Sequence, residues 1–183
     1  MKARYVRYLL MGALLLGSYA CSDEQDFDQF DDLSITPTLA SSIFSVEADE
    51  PFINSFTTVN TFYTNTFNFD AFNEEFVAER LLEGTITYEF ENTTSKPLII
   101  TIEFLDEGGG VLDTEIFDIP AGPAPAFTIE VDYGPGGKPL DILANTSDIR
   151  ITGINLGDTT STSTEPDPKI VMKSAAEFLF RLK

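Results

Sequence analysis

Histidine and tryptophan are absent from this chain of 183 residues, and cysteine occurs once, at position 21. Without histidine there is no Ser-His-Asp triad, no Cys-His dyad, no imidazole-ligated zinc and no imidazole acid or base. A single thiol excludes an internal disulfide and an iron-sulfur cluster. Basic residues are scarce: 11 Lys and Arg stand against 30 Asp and Glu, a formal net charge of −19. Nucleic acid and anionic lipid head groups are therefore poor partners. No apolar run reaches the roughly 20 residues that a membrane-spanning helix needs. The chemistry left open is carboxylate or Ser-Lys catalysis and oxygen-ligand metals, which in practice means calcium. Carboxylate pairs are inevitable among 30 acidic residues and single out nothing. Oxygen ligands gather at Asp26, Asp28, Asp31 and Asp32 and in the Asp106-Glu107-Gly108 turn, but no EF-hand spacing is present, so calcium is a weak expectation. No enzyme is expected.

The N-terminus carries an ordered pattern. Lys2, Arg4 and Arg7 precede a short apolar stretch at 9–16, and Ser18 and Ala20 place small residues three and one positions before Cys21. That is the layout of a signal peptide covering residues 1–20. An ordinary signal peptidase and a lipoprotein-specific one would both cut before Cys21. Leu16-Gly17-Ser18-Tyr19-Ala20-Cys21 resembles the lipobox of bacterial lipoproteins, with Ser18 in the usual leucine position. The resemblance implies a covalent lipid on Cys21, palmitate-like chains that at roughly 0.8 kcal/mol per buried CH2 hold a protein on its membrane. The alternative is a secreted protein with a free thiol, a liability in an oxidising compartment.

Ser22 follows the cysteine where inner-membrane lipoproteins carry Asp, so the resemblance implies the outer membrane. Ser22-Asp23-Glu24 and the acids that follow resemble the surface-export signal of lipoproteins of the Bacteroidota. The same charges would also make residues 21–33 a solvated, self-repelling tether. Loss of residues 1–20 leaves eight basic residues against 30 acidic ones, a charge of −22.

Beyond the tether, with 43% hydrophobic residues and mean hydropathy near zero, residues 34–183 read as one domain whose dominant signal is alternation of apolar and polar side chains. Ile86, Tyr88 and Phe90 alternate with polar residues, 92–97 reads as a turn, and Ile100, Ile102 and Phe104 alternate again, which predicts a hairpin. Further strands are expected at 111–119, at 127–133 ending on Gly134-Pro135-Gly136-Gly137, at 149–156 with Gly153 as a bulge, at 43–46, and at 170–182 with the even-numbered residues on one face. A helical turn is expected at 140–145 and a Thr, Ser and Pro-rich loop at 158–168. Regularly spaced strands with turn signals between them predict an all-β fold, an antiparallel two-sheet immunoglobulin-like sandwich with at most short helical turns.

Within 84–131, Glu91-Asn92-Thr93-Thr94, Phe104-Leu105-Asp106 and Gly110-Val111-Leu112 resemble the turn and core positions of FxLYD and related immunoglobulin-like domains. The resemblance implies an extracytoplasmic binding or spacer module and brings no catalytic residue. Residues 52–76 concentrate Phe52, Phe56, Phe62, Tyr63, Phe67, Phe69, Phe72 and Phe76. Phe in place of Tyr and Trp argues for packing rather than a wet binding surface. Tyr63, Phe67 and Phe69 are expected on one strand face, and Phe72 and Phe76 on a short helix running to Leu82. Asp158-Thr159-Thr160 resembles the O-glycosylation sequon of exported Bacteroidota proteins, which makes Thr159 a candidate glycan site.

The reading favoured is a non-enzymatic outer-membrane lipoprotein, exposed at the cell surface, acting as a structural or accessory module that binds another envelope protein. A glycan or host-matrix module is the alternative and a carboxylate hydrolase a remote one. A sugar-stacking cleft would have only Tyr63, Tyr88 and Tyr133 to draw on after processing.

Overall fold

Alternation in sequence becomes alternation in burial. Along the C-terminal strand Ile170, Met172, Ser174, Ala176, Phe178 and Phe180 are buried and the residues between them are not. A strand with one apolar face needs a second layer to cover it. The computed structural model describes residues 35–69 and 79–182. Its strands are β1 (Thr38–Asp49), β2 (Thr61–Asn68), β3 (Leu81–Asn92), β4 (Leu98–Leu105), β5 (Val111–Ile119), β6 (Phe127–Tyr133), β7 (Asp148–Asn155) and β8 (Lys169–Phe180). Helix α1 (Glu50–Asn54) follows β1, and α2 (Leu140–Asn145) lies between β6 and β7. Helix α1 starts where the Phe52 N–H donates to Asp49 Oδ1 at 2.7 Å and Pro51 occupies the first turn, a side-chain cap followed by a preset φ.

One sheet has the order β1-β8-β3-β6 and the other β2-β7-β4-β5, all neighbours antiparallel. Only β4 and β5 are sequence neighbours that pair; every other connection crosses between sheets. The expected all-β antiparallel two-sheet sandwich is the fold. Immunoglobulin-like in its two packed sheets, it is wired as the interleaved Greek keys of a jelly roll. Aromatic rings register one layer on the other. Phe44 of β1 stacks on Phe67 of β2 at 5.8 Å, Tyr88 and Phe90 of β3 each lie 5.0 Å from Phe117 of β5, and Phe104 of β4 meets Tyr133 of β6 edge-on at 6.2 Å.

The strands expected at 111–119 and 127–133 and the helical turn at 140–145 are present as β5, β6 and α2. Four expectations need correction. Residues 92–97 do not close a hairpin: β3 and β4 lie in opposite sheets, and the buried Asn92 turns the chain between them. Its Nδ2 donates to Lys96 O at 2.9 Å and Pro120 O at 2.8 Å, while Oδ1 accepts from Thr94 N and Oγ1. Four side-chain bonds replace the ladder a hairpin would have supplied.

Phe72 and Phe76 lie outside the described residues, but the helix expected to reach Leu82 does not, because Leu81 and Leu82 already belong to β3, where Leu81 pairs with Phe180. The bulge expected at Gly153 sits opposite it, in β2, between Thr61 and Tyr63. Gly153 is the small residue over which the Phe62 ring lies, since a Cβ there would stand 2.6 Å from the ring. Leu182 is beyond β8 and exposed, so the apolar face of the last strand ends at Phe180.

The aromatic segment is largely core. Phe62 and Phe69 are buried, Phe56, Tyr63 and Phe67 pack against the core, and Phe52 is exposed at its rim.

Candidate functional site

Three features outside the apolar core set the chemistry of this domain, and the first is a polar clamp where β3 turns into β4. Lys96, in that turn, is fully buried. Its Nζ donates to Ser161 O and Ser161 Oγ, both at 2.7 Å, and to Asp158 Oδ1 at 3.3 Å. Ser95 N donates to Glu50 Oε1 at 2.9 Å and Ser163 N to Glu50 Oε2 at 2.8 Å, with the Ser95 hydroxyl also on Oε1. Glu50 begins α1, so the clamp joins that helix, the turn and the 158–168 loop.

Burial would raise the Glu50 carboxyl, but the Ser95 hydroxyl, the two N–H donors and the charge of Lys96 hold it below its ordinary value. Asp158 is held well below the usual carboxylate range by the N–H groups of Ser161 and Thr160, by the Ser161 hydroxyl and by Lys96.

Ser161 beside Lys96 has the composition of a Ser-Lys dyad, the catalytic chemistry that a chain without histidine still permits. The hydrogen bonding is that of a structural cation. The Lys96 Nζ is directed at once to a carbonyl, a hydroxyl and a carboxylate.

A second polar group ties the edges of the two sheets. Lys138, past the end of β6, donates to Asp113 Oδ2 at 2.6 Å and Glu115 Oε1 at 2.5 Å on β5, and the Tyr133 hydroxyl lies 3.3 Å from Glu115 Oε1. Burial lowers the Lys138 ammonium, but the hydrogen bonds and charges of the two carboxylates raise it net. Burial, then the neighbouring negative charge, pushes the hydroxyls of Tyr88 and Tyr133 far up. This group is a cross-sheet tie.

The third feature is the contrast between the outer faces. On the β1-β8-β3-β6 sheet the outward positions carry Glu47, Glu83, Glu89, Glu91, Glu130, Asp132 and Glu177 against Lys169 and Lys173. The outer face of β2-β7-β4-β5 carries less charge, with Asp118 and Asp148 besides Arg150 and Glu103. Its cross-strand rows read Thr64-Thr152-Thr101-Ile116 and Thr66-Arg150-Glu103-Thr114, followed by Ile154-Ile99-Asp118. Arg150 and Glu103 cancel in an ion pair at 2.8 Å. Ile116 is 64% exposed, more than any other large apolar side chain among the described residues. Ile99 lies diagonal to it on β4 and pairs with Ile154 on β7. Val59 and Leu156, both exposed, extend the apolar end, since Asn155 N donates to Asn60 O and Leu156 N to Pro97 O.

Of the residues singled out in the sequence, Cys21, Ser22, Asp23 and Glu24 lie outside the described residues, as do Asp26, Asp28, Asp31 and Asp32. Thr159 stands half-buried in the 158–168 loop, next to the exposed Thr160 whose N–H and hydroxyl both donate to Asp158. Asp106 Oδ1 is occupied by the N–H groups of Gly108 and Gly110, which close the β4–β5 turn. A shallow hollow of about 380 Å³ beside it is lined by Asp106, Glu107, Gly108 and residues 144–147. Among the described residues no three acidic side chains converge as a metal site, and no helix is long and apolar enough to cross a membrane.

Sequence reasoning missed Glu50, Lys96 and Ser161, which are 46 and 65 residues apart along the chain.

No family model matches the chain, and no curated protein matches it. Solved structures with a similar fold include the infectious bursal disease virus VP2 subviral particle, at 10% identity and a TM-score of 0.40 over 82% of this chain and 33% of that one. Others are turnip yellow mosaic virus, at 9% and 0.35 over 82% and 95%, and the enzymatically active domain of bacteriophage CBA120 tailspike protein 4, at 14% and 0.35 over 83% and 20%. The chain spans about a third of the length of the VP2 chain.

Proposed function

We propose that this chain is a lipoprotein of the bacterial outer membrane, anchored through Cys21 and displayed at the cell surface, whose jelly-roll domain is a non-enzymatic docking module for another envelope protein. The observation that carries the docking role is the segregation of charge. An acidic face keeps the domain solvated, and the opposite face offers uncharged Thr and Ile side chains around exposed Ile116. A glycan-binding module would instead present rings, and the 52–69 segment spends most of its rings on the core. The described chain begins beside the C-terminal end of β8, where Leu182 N donates to Ile35 O, at the opposite end of the strands from Ile99 and Ile154.

Three variants of the whole chain test the anchor, the docking face and the surface display. Cys21→Ser should remain unlipidated and leave the membrane fraction; retention after a high-salt wash would refute the lipid anchor. Ile116→Asp should keep lipidation and the melting temperature but lose the envelope proteins that chemical cross-linking recovers with the parent chain; an unchanged set of cross-linked proteins would refute the docking face. Neutral replacement of Asp23, Glu24, Asp26 and Asp28 should keep the lipid and reduce digestion by external protease on intact cells. Unchanged digestion would leave those acids as a spacer.

A further inference from the structure

We infer that the free side of β6 takes up an extended strand from a cationic partner, one whose side chains alternate between apolar and basic. This edge is separate from the Thr-Ile face proposed above. The two sheets have four edge strands, β1, β6, β2 and β5. Three of them are interrupted. β1 carries an extra residue at Ile43, β2 at Phe62 and β5 at Leu112, and β5 also turns Asp113 and Glu115 toward the interior. Bulges and inward charges of this kind stop a further strand from pairing. β6 has neither. Its seven residues pair with β3 in unbroken register from Phe127 to Tyr133 and include no Pro and no Lys.

Backbone direction alternates along a strand as side chains do. Asp132 O accepts from Lys138 N at 2.8 Å, on the side away from β3. Thr128 and Glu130 have the same parity, so they too turn their N–H and C=O groups away from the sheet. Among the described residues no backbone group outside the sheet bonds to either. The Lys138 bond closes the Tyr133 end of the edge and leaves 127–131 open. An unpaired row of donors and acceptors is a template for an added strand.

The two sides of β6 define the chemistry of the occupant. Outward, Asp132 takes the Thr85 hydroxyl at 2.8 Å and Glu130 stands across from Thr87, so neither carboxylate has a cation opposite it on β3. A strand added beside them sets its own outward side chains next to Glu130 and Asp132, where Lys or Arg is favoured and a carboxylate opposed. Inward, Phe127, Ile129 and Val131 are half-buried against the core, with Phe127 stacked on Phe90 at 5.4 Å. The inward side chains of an added strand would extend that row, which calls for apolar ones. A second copy of β6 would instead bring the carboxylates of both chains together, and the net charge of −19 opposes it.

The test uses the full chain in detergent micelles and two synthetic peptides as long as β6, one alternating Lys and Val and the other alternating Glu and Val. The Lys-Val peptide should bind, should slow amide exchange at Thr128 and Glu130, and should bind at least about tenfold more tightly than the Glu-Val peptide. Thr128→Pro removes an outward N–H, takes no bond from the sheet and leaves every charge in place. It should melt within about 2 °C of the parent and weaken the Lys-Val peptide about tenfold. Glu130→Lys should narrow or invert the choice between the two peptides. Unchanged affinity in Thr128→Pro would show the peptide held by charge alone and overturn strand addition. A Thr128→Pro chain that fails to fold would place that N–H in the β3 ladder and overturn the edge assignment. Equal affinity of the parent for both peptides, or a choice unaltered by Glu130→Lys, would overturn the cationic partner. Self-association of the parent without peptide, lost in Thr128→Pro, would overturn it too, with a second copy as the occupant.

Discussion

Replacing Lys96 by Met and, separately, by Ala divides the worth of a buried cation into its charge and its stem. The side chain is fully buried and its ammonium serves Ser161 O, Ser161 Oγ and Asp158 Oδ1. Removing one member of a buried ion pair commonly costs about 3–5 kcal/mol because the other charge is left stranded. Here it is not stranded: the Asp158 side chain is 60% exposed and Ser161 is exposed, so water reaches both once the ammonium is gone. What Met forfeits is the net worth of charge-assisted hydrogen bonds, about 1.5–3 kcal/mol. Against this stands relief from burying an ammonium, itself a matter of several kcal/mol in the absence of partners.

The expected cost of Lys96→Met is therefore about 1 kcal/mol. Lys96→Ala also removes three methylenes, about 2.4 kcal/mol at 0.8 per CH2 before any cavity term, and should cost about 3–4 kcal/mol. For a domain of this size these correspond to falls of about 3 °C and about 10 °C in melting temperature. Urea titrations with unchanged m-values provide the free energies, and proteolysis within the 158–168 loop should quicken in both variants. A Met variant as unstable as the Ala variant would refute the claim that solvent rescues the acceptors.

Other consequences are as direct. β8 lies between β1 and β3 rather than at an edge, so truncation after Asp167 should give an insoluble or protease-labile chain. Phe178→Asp, which removes a buried ring and buries a charge, should cost more than about 4 kcal/mol; a cooperative melt at the parent temperature would refute it. The Ser174 hydroxyl is buried without a hydrogen-bond partner, so Ser174→Ala should be neutral or stabilise by up to about 1–2 kcal/mol in urea titration. Glu50 and Asp158 are both held below their ordinary values of 4.5 and 3.8. A depressed carboxyl contributes stability that is complete above its unfolded value and is lost as pH falls toward its folded one. The urea midpoint should therefore drop from about pH 5 downward, and Glu50→Gln should lower the midpoint at pH 7 and flatten the slope.

Period-two alternation was enough to determine the all-β class, the individual strands and most of the core, because a half-buried strand writes its two environments into neighbouring residues. Ile86, Tyr88 and Phe90 declare their face with no knowledge of what covers it. Composition alone also removed imidazole and disulfide chemistry, since a side chain that is absent cannot be supplied by folding.

What covers each face was decided by long-range pairing. The turn at 92–97 has hairpin composition, yet buried Asn92 directs β3 and β4 into different sheets. Strand order, and with it the jelly-roll wiring, depends on partners such as β1 and β8 that are more than a hundred residues apart. The clamp of Glu50, Lys96 and Asp158 was invisible for the same reason: a helix start, a turn and a loop far apart in the chain supply it, and no local pattern records their meeting. The Thr-Ile face lay between these cases. Each of its residues is an outward position of a readable strand, but their assembly into one surface required the order β2-β7-β4-β5, which only the packed tertiary structure sets.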